Sequence, residues 1–239
     1  MILFCLPYAG GSESVYYNWS NHMDEIELYP IELKGRGKRS DEEYYKNIKE
    51  AVDDIYTAIK DKVCQEDYAI YGHSMGSLLA YELYYKICDM NHKKPKHIFF
   101  SGNKAPNIAK EREISYKMPD SLFMQKIMEL GGTPKKLLED KEVLEFFLPI
   151  LKNDIKIIEE YKYEERNEKI SCDISILNGE DDNITQDEIL EWRNHTSKNC
   201  NIYNFEGDHF FINNNLEEIT GLIKATLSNN VAYNSVLKV

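Results

Sequence analysis

The sequence has no Cys-x-x-Cys pair. Its five cysteines, Cys5, Cys64, Cys88, Cys172 and Cys200, are scattered, and the nearest two stand 24 residues apart. Neither a zinc knuckle nor a thioredoxin-type redox pair is therefore available. Cysteines spread in this way read as small buried apolar residues in a reducing compartment. Long apolar runs are also missing. The opening Met-Ile-Leu-Phe-Cys-Leu-Pro has no basic residue ahead of it and its apolar run stops after six residues, so it is no signal peptide. No stretch approaches the roughly 20 apolar residues of a membrane span, and a cytoplasmic location is expected. Positive charge is in deficit, with 29 Lys and Arg against 41 Asp and Glu, a net charge of −12. Nucleic acid and anionic membranes reward the opposite sign, so neither is expected as a partner. Cofactor signatures are lacking as well. There is no G-x-G-x-x-G and no metal-ligand cluster. Gly35-Arg36-Gly37-Lys38-Arg39-Ser40 imitates a phosphate loop, but it lacks the glycine five residues before Gly37 and has Arg after Lys38. No cofactor and no metal are expected.

What is present is ordinary globular usage, 42% hydrophobic and 29% charged, over 239 residues, which suits one domain with an insertion. Short runs rich in Ile, Phe and Tyr occur at 1–6, 26–33, 67–72, 97–102, 173–179 and 200–206, as expected of strands buried on both faces. Between the second and third runs, Ser40 and Glu43 make a capping box. Tyr44, Ile48, Val52, Ile55, Ile59 and Val63 then fall at helical steps. Residues 75–90 and the stretch from about 215 also read as helical. Strand alternating with helix predicts an α/β fold, a mostly parallel sheet covered on both faces. The 70 residues from Asn103 to Cys172 carry no strand signal. A structureless loop of that length is improbable in a compact domain, so a helical insertion at about 103–172 is expected within a single domain, 1–239. Its apolar residues, Phe146 and Phe147 among them, exceed one helix face. The expectation is a mobile lid that shapes an apolar pocket.

The chemistry-bearing pattern is Gly72-His73-Ser74-Met75-Gly76, which follows a strand and runs straight into a helix. In that setting G-x-S-x-G is a nucleophile elbow: a sharp turn lifts the Ser74 hydroxyl to a helix start, where free N–H groups can hold an oxyanion. A serine needs a base and an orienting carboxylate. Asn178-Gly179-Glu180-Asp181-Asp182 past the fifth strand supplies the acids, and Glu206-Gly207-Asp208-His209 past the sixth supplies a base. His22, His92, His97 and His195 read as surface or satisfied core residues. His73 belongs to the elbow but points away if Ser74 points in, which leaves His209. Pro7-Tyr8-Ala9-Gly10-Gly11 at the first strand's end offers a further N–H beside that of Met75 for an oxyanion hole.

Together PYAGG, ELKGRGKR, GHSMG, LGGTPKKLLEDKEVLEFFLP, NGEDD and GDHFF resemble, in order and over nearly the whole chain, the type II thioesterases. These are stand-alone α/β hydrolases that serve nonribosomal peptide and polyketide synthetases in antibiotic biosynthesis. The resemblance implies a Ser74–Asp182–His209 triad, with Asp182 rather than Asp181 as the acid, and the amides of Ala9 and Met75 as the oxyanion hole. It implies hydrolysis of wrong or stalled acyl groups from the phosphopantetheine arm of carrier protein domains; a monomer is expected. Carboxylesterase or lipase-like action on oxygen esters, chain termination on a fatty acyl-carrier protein, and a non-catalytic synthetase partner are the alternatives. The resemblance also makes the carrier an acidic protein, so docking on this acidic chain must be local. Arg36, Lys38, Arg39, Lys104, Lys110, Arg112, Lys117, Lys135 and Lys136 are the cations available. Most are expected to be solvated surface charges; if a subset docks the carrier, Lys135 and Lys136 are the pair whose reversal to Glu tests it.

Overall fold

The computed structural model describes residues 1–108, 114–129, 131 and 141–228. Lys110, Arg112, Lys135 and Lys136 lie outside the described residues. Six strands make one sheet: β1 (Ile2–Leu6), β2 (Glu27–Pro30), β3 (Tyr68–His73), β4 (His97–Ser101), β5 (Asp173–Gly179) and β6 (Cys200–Phe205). Their order is β2-β1-β3-β4-β5-β6 and every pairing is parallel. The expected parallel α/β sheet is what forms. The 26–33 run pairs only as far as Pro30, which lies opposite Cys5.

Period-two alternation divides the strand residues between two cores. Ile2, Phe4, Leu6, Tyr68, Ile70, Ile98, Phe100, Ile174 and Ile176 face one side, with α1 (Ile48–Gln65) and α2 (Met75–Asp89). Leu3, Cys5, Ala69, Tyr71, Phe99 and Leu177 face the other, beneath the 3₁₀ helix Glu13–His22 and a C-terminal helix, Leu216–Leu227. Both faces are covered, as the unbroken apolar strands require. Cys5 is buried but Cys64 is exposed and the other three cysteines are half-buried, so burial does not account for all of them.

The start of α1 departs from the sequence reading. The helix begins at Ile48, not after Ser40, because Asn47 caps it by accepting from the Glu50 N–H at 2.9 Å. Ser40 instead ends a 3₁₀ turn, and Tyr44 precedes the helix, packed over Gly35. The insertion contributes α3 (Asp120–Glu129) and the 19-residue α4 (Lys141–Glu159). Phe123, Met124 and Ile127 of α3 join Leu151 of α4 in a third apolar cluster, against which Ala9 packs. Phe147 joins that cluster, whereas Phe146 is 58% exposed. The two phenylalanines thus divide between core and surface. A short helix, α5 (Gln186–Leu190), and then α6 (Leu216–Leu227) follow. No helix among the described residues is long and apolar enough to cross a membrane.

Candidate active site

Because every strand is parallel, all six end at one edge of the sheet, where the turns after β1, β3, β5 and β6 meet. β1 lies between β2 and β3, so the chain's direction of winding reverses there, and that is where a crevice opens in such sheets. Ser74 stands at the end of β3 with φ 54° and ψ −113°, a strained conformation for a residue with a side chain. Three bonds hold it. The Ser74 N–H donates to the Ser101 carbonyl at 2.8 Å, Asn103 Nδ2 donates to the Ser74 carbonyl at 2.9 Å, and Ser77 Oγ donates to the Gly72 carbonyl at 2.7 Å. Glycine is obligatory on either side of the turn. A Cβ on Gly72 would lie 2.1 Å from the Gly76 oxygen, and one on Gly76 would lie 2.1 Å from the Leu6 oxygen. The two glycines let α2 press directly onto the sheet backbone.

His209 follows β6 through a turn with Gly207 at φ 116°. Its Nε2 lies 3.0 Å from Ser74 Oγ and its Nδ1 lies 2.8 Å from Asp182 Oδ2. A carboxylate only accepts, so Nδ1 is the donor in that bond and Nε2 is the nitrogen that faces the serine hydroxyl. Asp182 is 7% exposed at its side chain, while the neighbouring Asp181 is exposed and ties its N–H to the Gly207 carbonyl at 3.0 Å. The structure therefore brings together Ser74, His209 and Asp182, and not Asp181. Met75 opens α2, so its N–H has no partner within the helix. Among the described residues neither it nor the Ala9 N–H donates to another protein group.

Some neighbours carried no sequence signal. Asn103 is one, since its bond to the elbow depends on how the chain leaves β4. His73 is wholly buried, with Nδ1 2.9 Å from Ser101 Oγ and its ring 5.3 Å from that of His209. Burial, reinforced by the charge His209 can carry, holds the His73 imidazole well below the usual histidine range. It is thus a neutral wall behind His209. Three of the other four histidines are held in polar contacts away from the site, His97 with Ser175 Oγ at 2.8 Å, His195 with Asn107 Oδ1 at 2.8 Å, and His92 with the Tyr56 hydroxyl at 2.9 Å, while His22 ends the 3₁₀ helix Glu13–His22. Arg36, expected at the surface, is buried at 2% exposure against Asp154. Asp154 did leave a trace, an acid on the apolar stripe of Ile150, Leu151 and Ile157. A cleft of about 590 Å³ bordered by Lys49, Glu82 and Arg166 lies away from the place where Ser74, His209 and Asp182 meet.

A family model for the thioesterase domain matches residues 1–227. The linear gramicidin dehydrogenase LgrE of Brevibacillus parabrevis is 33% identical, over 95% of this chain and 88% of that one. In this chain the turn after β1 reads Pro7-Tyr8-Ala9-Gly10-Gly11, which is not a dinucleotide fingerprint. The crystal structure of ClbQ from the colibactin NRPS/PKS pathway superposes with a TM-score of 0.91 at 37% identity, covering 95% of this chain and 97% of that one. The type II thioesterase BorB from the borrelidin biosynthetic cluster superposes with a TM-score of 0.86 at 27% identity, covering 95% and 92%. The sheet and its flanking helices are those of the α/β-hydrolase fold.

Proposed function

The chain belongs to the thioesterase family, among its type II enzymes, and from that premise we propose that it hydrolyses acyl groups from the phosphopantetheine arm of carrier proteins. The acyl groups are wrong or stalled ones on a nonribosomal peptide or polyketide synthetase. The 3.0 Å and 2.8 Å contacts that link Ser74, His209 and Asp182 carry this reading. His209 takes the Ser74 proton as the hydroxyl attacks the thioester carbonyl, and the amides of Ala9 and Met75 receive the oxyanion. The protonated His209 hands that proton to the departing pantetheine sulfur, which leaves readily because a thiol of the cysteine kind, with a pKa of about 8.5, is a far stronger acid than an alcohol. Water activated by His209 then releases the acid from the acyl-enzyme, while Asp182 keeps the imidazole in its working tautomer. The insertion at 103–172 acts as a lid within one hydrolase domain. In support, an added Cβ on Gly131 would come within 2.4 Å of the Asp208 carboxylate beside His209, so the insertion reaches the edge of the site.

Two measurements test the reading. A serine-directed phosphonate should label Ser74 stoichiometrically. The kcat/KM for an acyl-pantetheine thioester should exceed that for the matching oxygen ester, and the reverse order would make the protein a carboxylesterase.

A further inference from the structure

Arg36 and Asp154 form the one Lys or Arg ion pair among the described residues in which both side chains are buried, at 3% and 0% exposure. Arg36 Nη1 and Nη2 reach Asp154 Oδ2 and Oδ1 at 2.7 and 2.8 Å, across 118 residues of sequence. Taking both charges out of water is costly, and well-packed apolar residues would hold the same loops together at least as well. The pair's remaining contacts suggest what it does. Asp154 Oδ2 also accepts the Gly10 N–H at 2.8 Å, and Arg36 Nη1 also donates to the Gly11 carbonyl at 3.1 Å. Both bonds fall on the turn after β1, next to Ala9. Gly10 sits at φ 79°, and a Cβ there would lie 2.8 Å from Phe147 Cζ and 3.1 Å from Leu151 Cδ1, both on the helix that carries Asp154. The turn is thus held at its backbone by two charges and covered by the helix that supplies one of them.

We propose that Arg36 and Asp154 are positioning residues for the thioester hydrolysis: as a pair they fix the Gly10–Gly11 backbone so that the Ala9 N–H points at the developing oxyanion. The inference rests on the functional reading above, in which Ala9 supplies an oxyanion donor. Fixing the Gly10 N–H on Asp154 fixes the peptide that follows Ala9, and donors set in place beforehand are what stabilise a transition state most.

Two variants test it in the full-length chain, with a neutral acyl-pantetheine thioester as substrate. Asp154→Asn keeps the side chain's shape but removes the charge. The double variant Arg36→Met/Asp154→Leu removes the pair without leaving a lone buried charge, the kind of replacement that folds tolerate best at a buried ion pair. Expected for both is a fall in kcat of about 10- to 100-fold with KM within about twofold, since a small misplacement of a donor costs on that order. Affinity for a trifluoromethyl ketone, which forms the tetrahedral adduct on serine, should weaken by the same factor, and the double variant's melting temperature should stay near wild type. Wild-type kcat and ketone affinity in the double variant would overturn the proposal and leave the pair a staple. Failure of both variants to fold would also overturn it. Ser74→Ala is assayed in parallel. Activity surviving there would overturn the functional reading itself, whereas an inactive Ser74→Ala beside an unaffected Asp154→Asn would overturn only the positioning role.

Discussion

At Ser74 the backbone is strained by about 1–3 kcal/mol, and bonds from Asn103 and Ser77 and to Ser101 hold it there. The turn points the Ser74 hydroxyl at His209, as the proposed mechanism requires, since a weakly acidic nucleophile is useful only beside its base. Ser74→Ala should therefore fold as the wild type does and lose on the order of 10⁴–10⁶ in kcat, measured on an acyl-pantetheine thioester. The two adjacent acids separate the roles further. Asp182→Asn would present an amide to Nδ1 and favour the wrong tautomer, for a loss of roughly 10⁴, whereas Asp181→Asn should stay within about twofold of wild type. Equal losses in the two would remove Asp182 from the relay. Ser74 and His209 were legible because each follows a strand end within a short local pattern. Local pattern alone could not choose between Asp181 and Asp182. Their difference arises from the Asp181 N–H bonding the Gly207 carbonyl, a contact between two turns.

Among the elements, strands were read more truly than helix ends. Ile, Phe and Tyr in unbroken runs have no stable place but a sheet covered on both faces, so the runs at 67–72 and 173–179 reappear within a residue as β3 and β5. Helix ends follow from single hydrogen bonds, and Ser40 with Glu43 matched a capping pattern that the chain does not use. Asn47→Ala should cost about 1 kcal/mol in urea denaturation while Ser40→Ala costs little, and the opposite ranking would move the cap back. Arg36 departs from the surface place expected of it for a similar reason, since nothing within its own stretch of sequence announces a partner on α4. That partnership anchors the middle of α4. Hydrogen exchange should accordingly find 151–158 protected and 120–129 faster than β3, and uniform protection would argue against a lid. On β4, burial pushes the His97 imidazole down from its ordinary 6.5 to about 4, with Asp173 opposing. The fold keeps His97 neutral, so below pH 6.5 the unfolded chain binds the extra proton. Stability attributable to His97 is then full above pH 6.5 and drains away toward pH 4, by on the order of 3 kcal/mol. Denaturation at pH 7.5 and pH 4 should show wild type losing that much more than His97→Gln. Parallel losses would assign the acid sensitivity to other groups.

Over the whole molecule the excess of acid, −12, bears on how a carrier protein would be met. The basic residues that looked free in the sequence are mostly engaged. Arg36 is buried on Asp154, Lys38 pairs with Glu13 at 2.7 Å, Arg39 with Asp54 at 2.7 Å, and Lys104 with Glu188 at 2.9 Å. Of the nine cations named from the sequence, Lys117 is the one within the described residues that is exposed and has no ion pair there. With an acidic carrier, the long-range field therefore repels, and docking has to rely on short-range contact once the two surfaces touch. Raising salt from 0.01 to 0.15 M shortens the screening length from about 30 Å to about 8 Å, which removes the long-range repulsion and leaves close contacts nearly intact. The kcat/KM for an acyl-carrier protein should consequently rise, by about two- to fivefold, over that range. A neutral acyl-pantetheine thioester feels no such field and should be turned over at the same rate throughout. A fall with salt on the carrier substrate alone would mean that a local group of cations attracts the carrier strongly enough to override the net charge. A rise on both substrates would place the salt effect in the catalytic site rather than in docking.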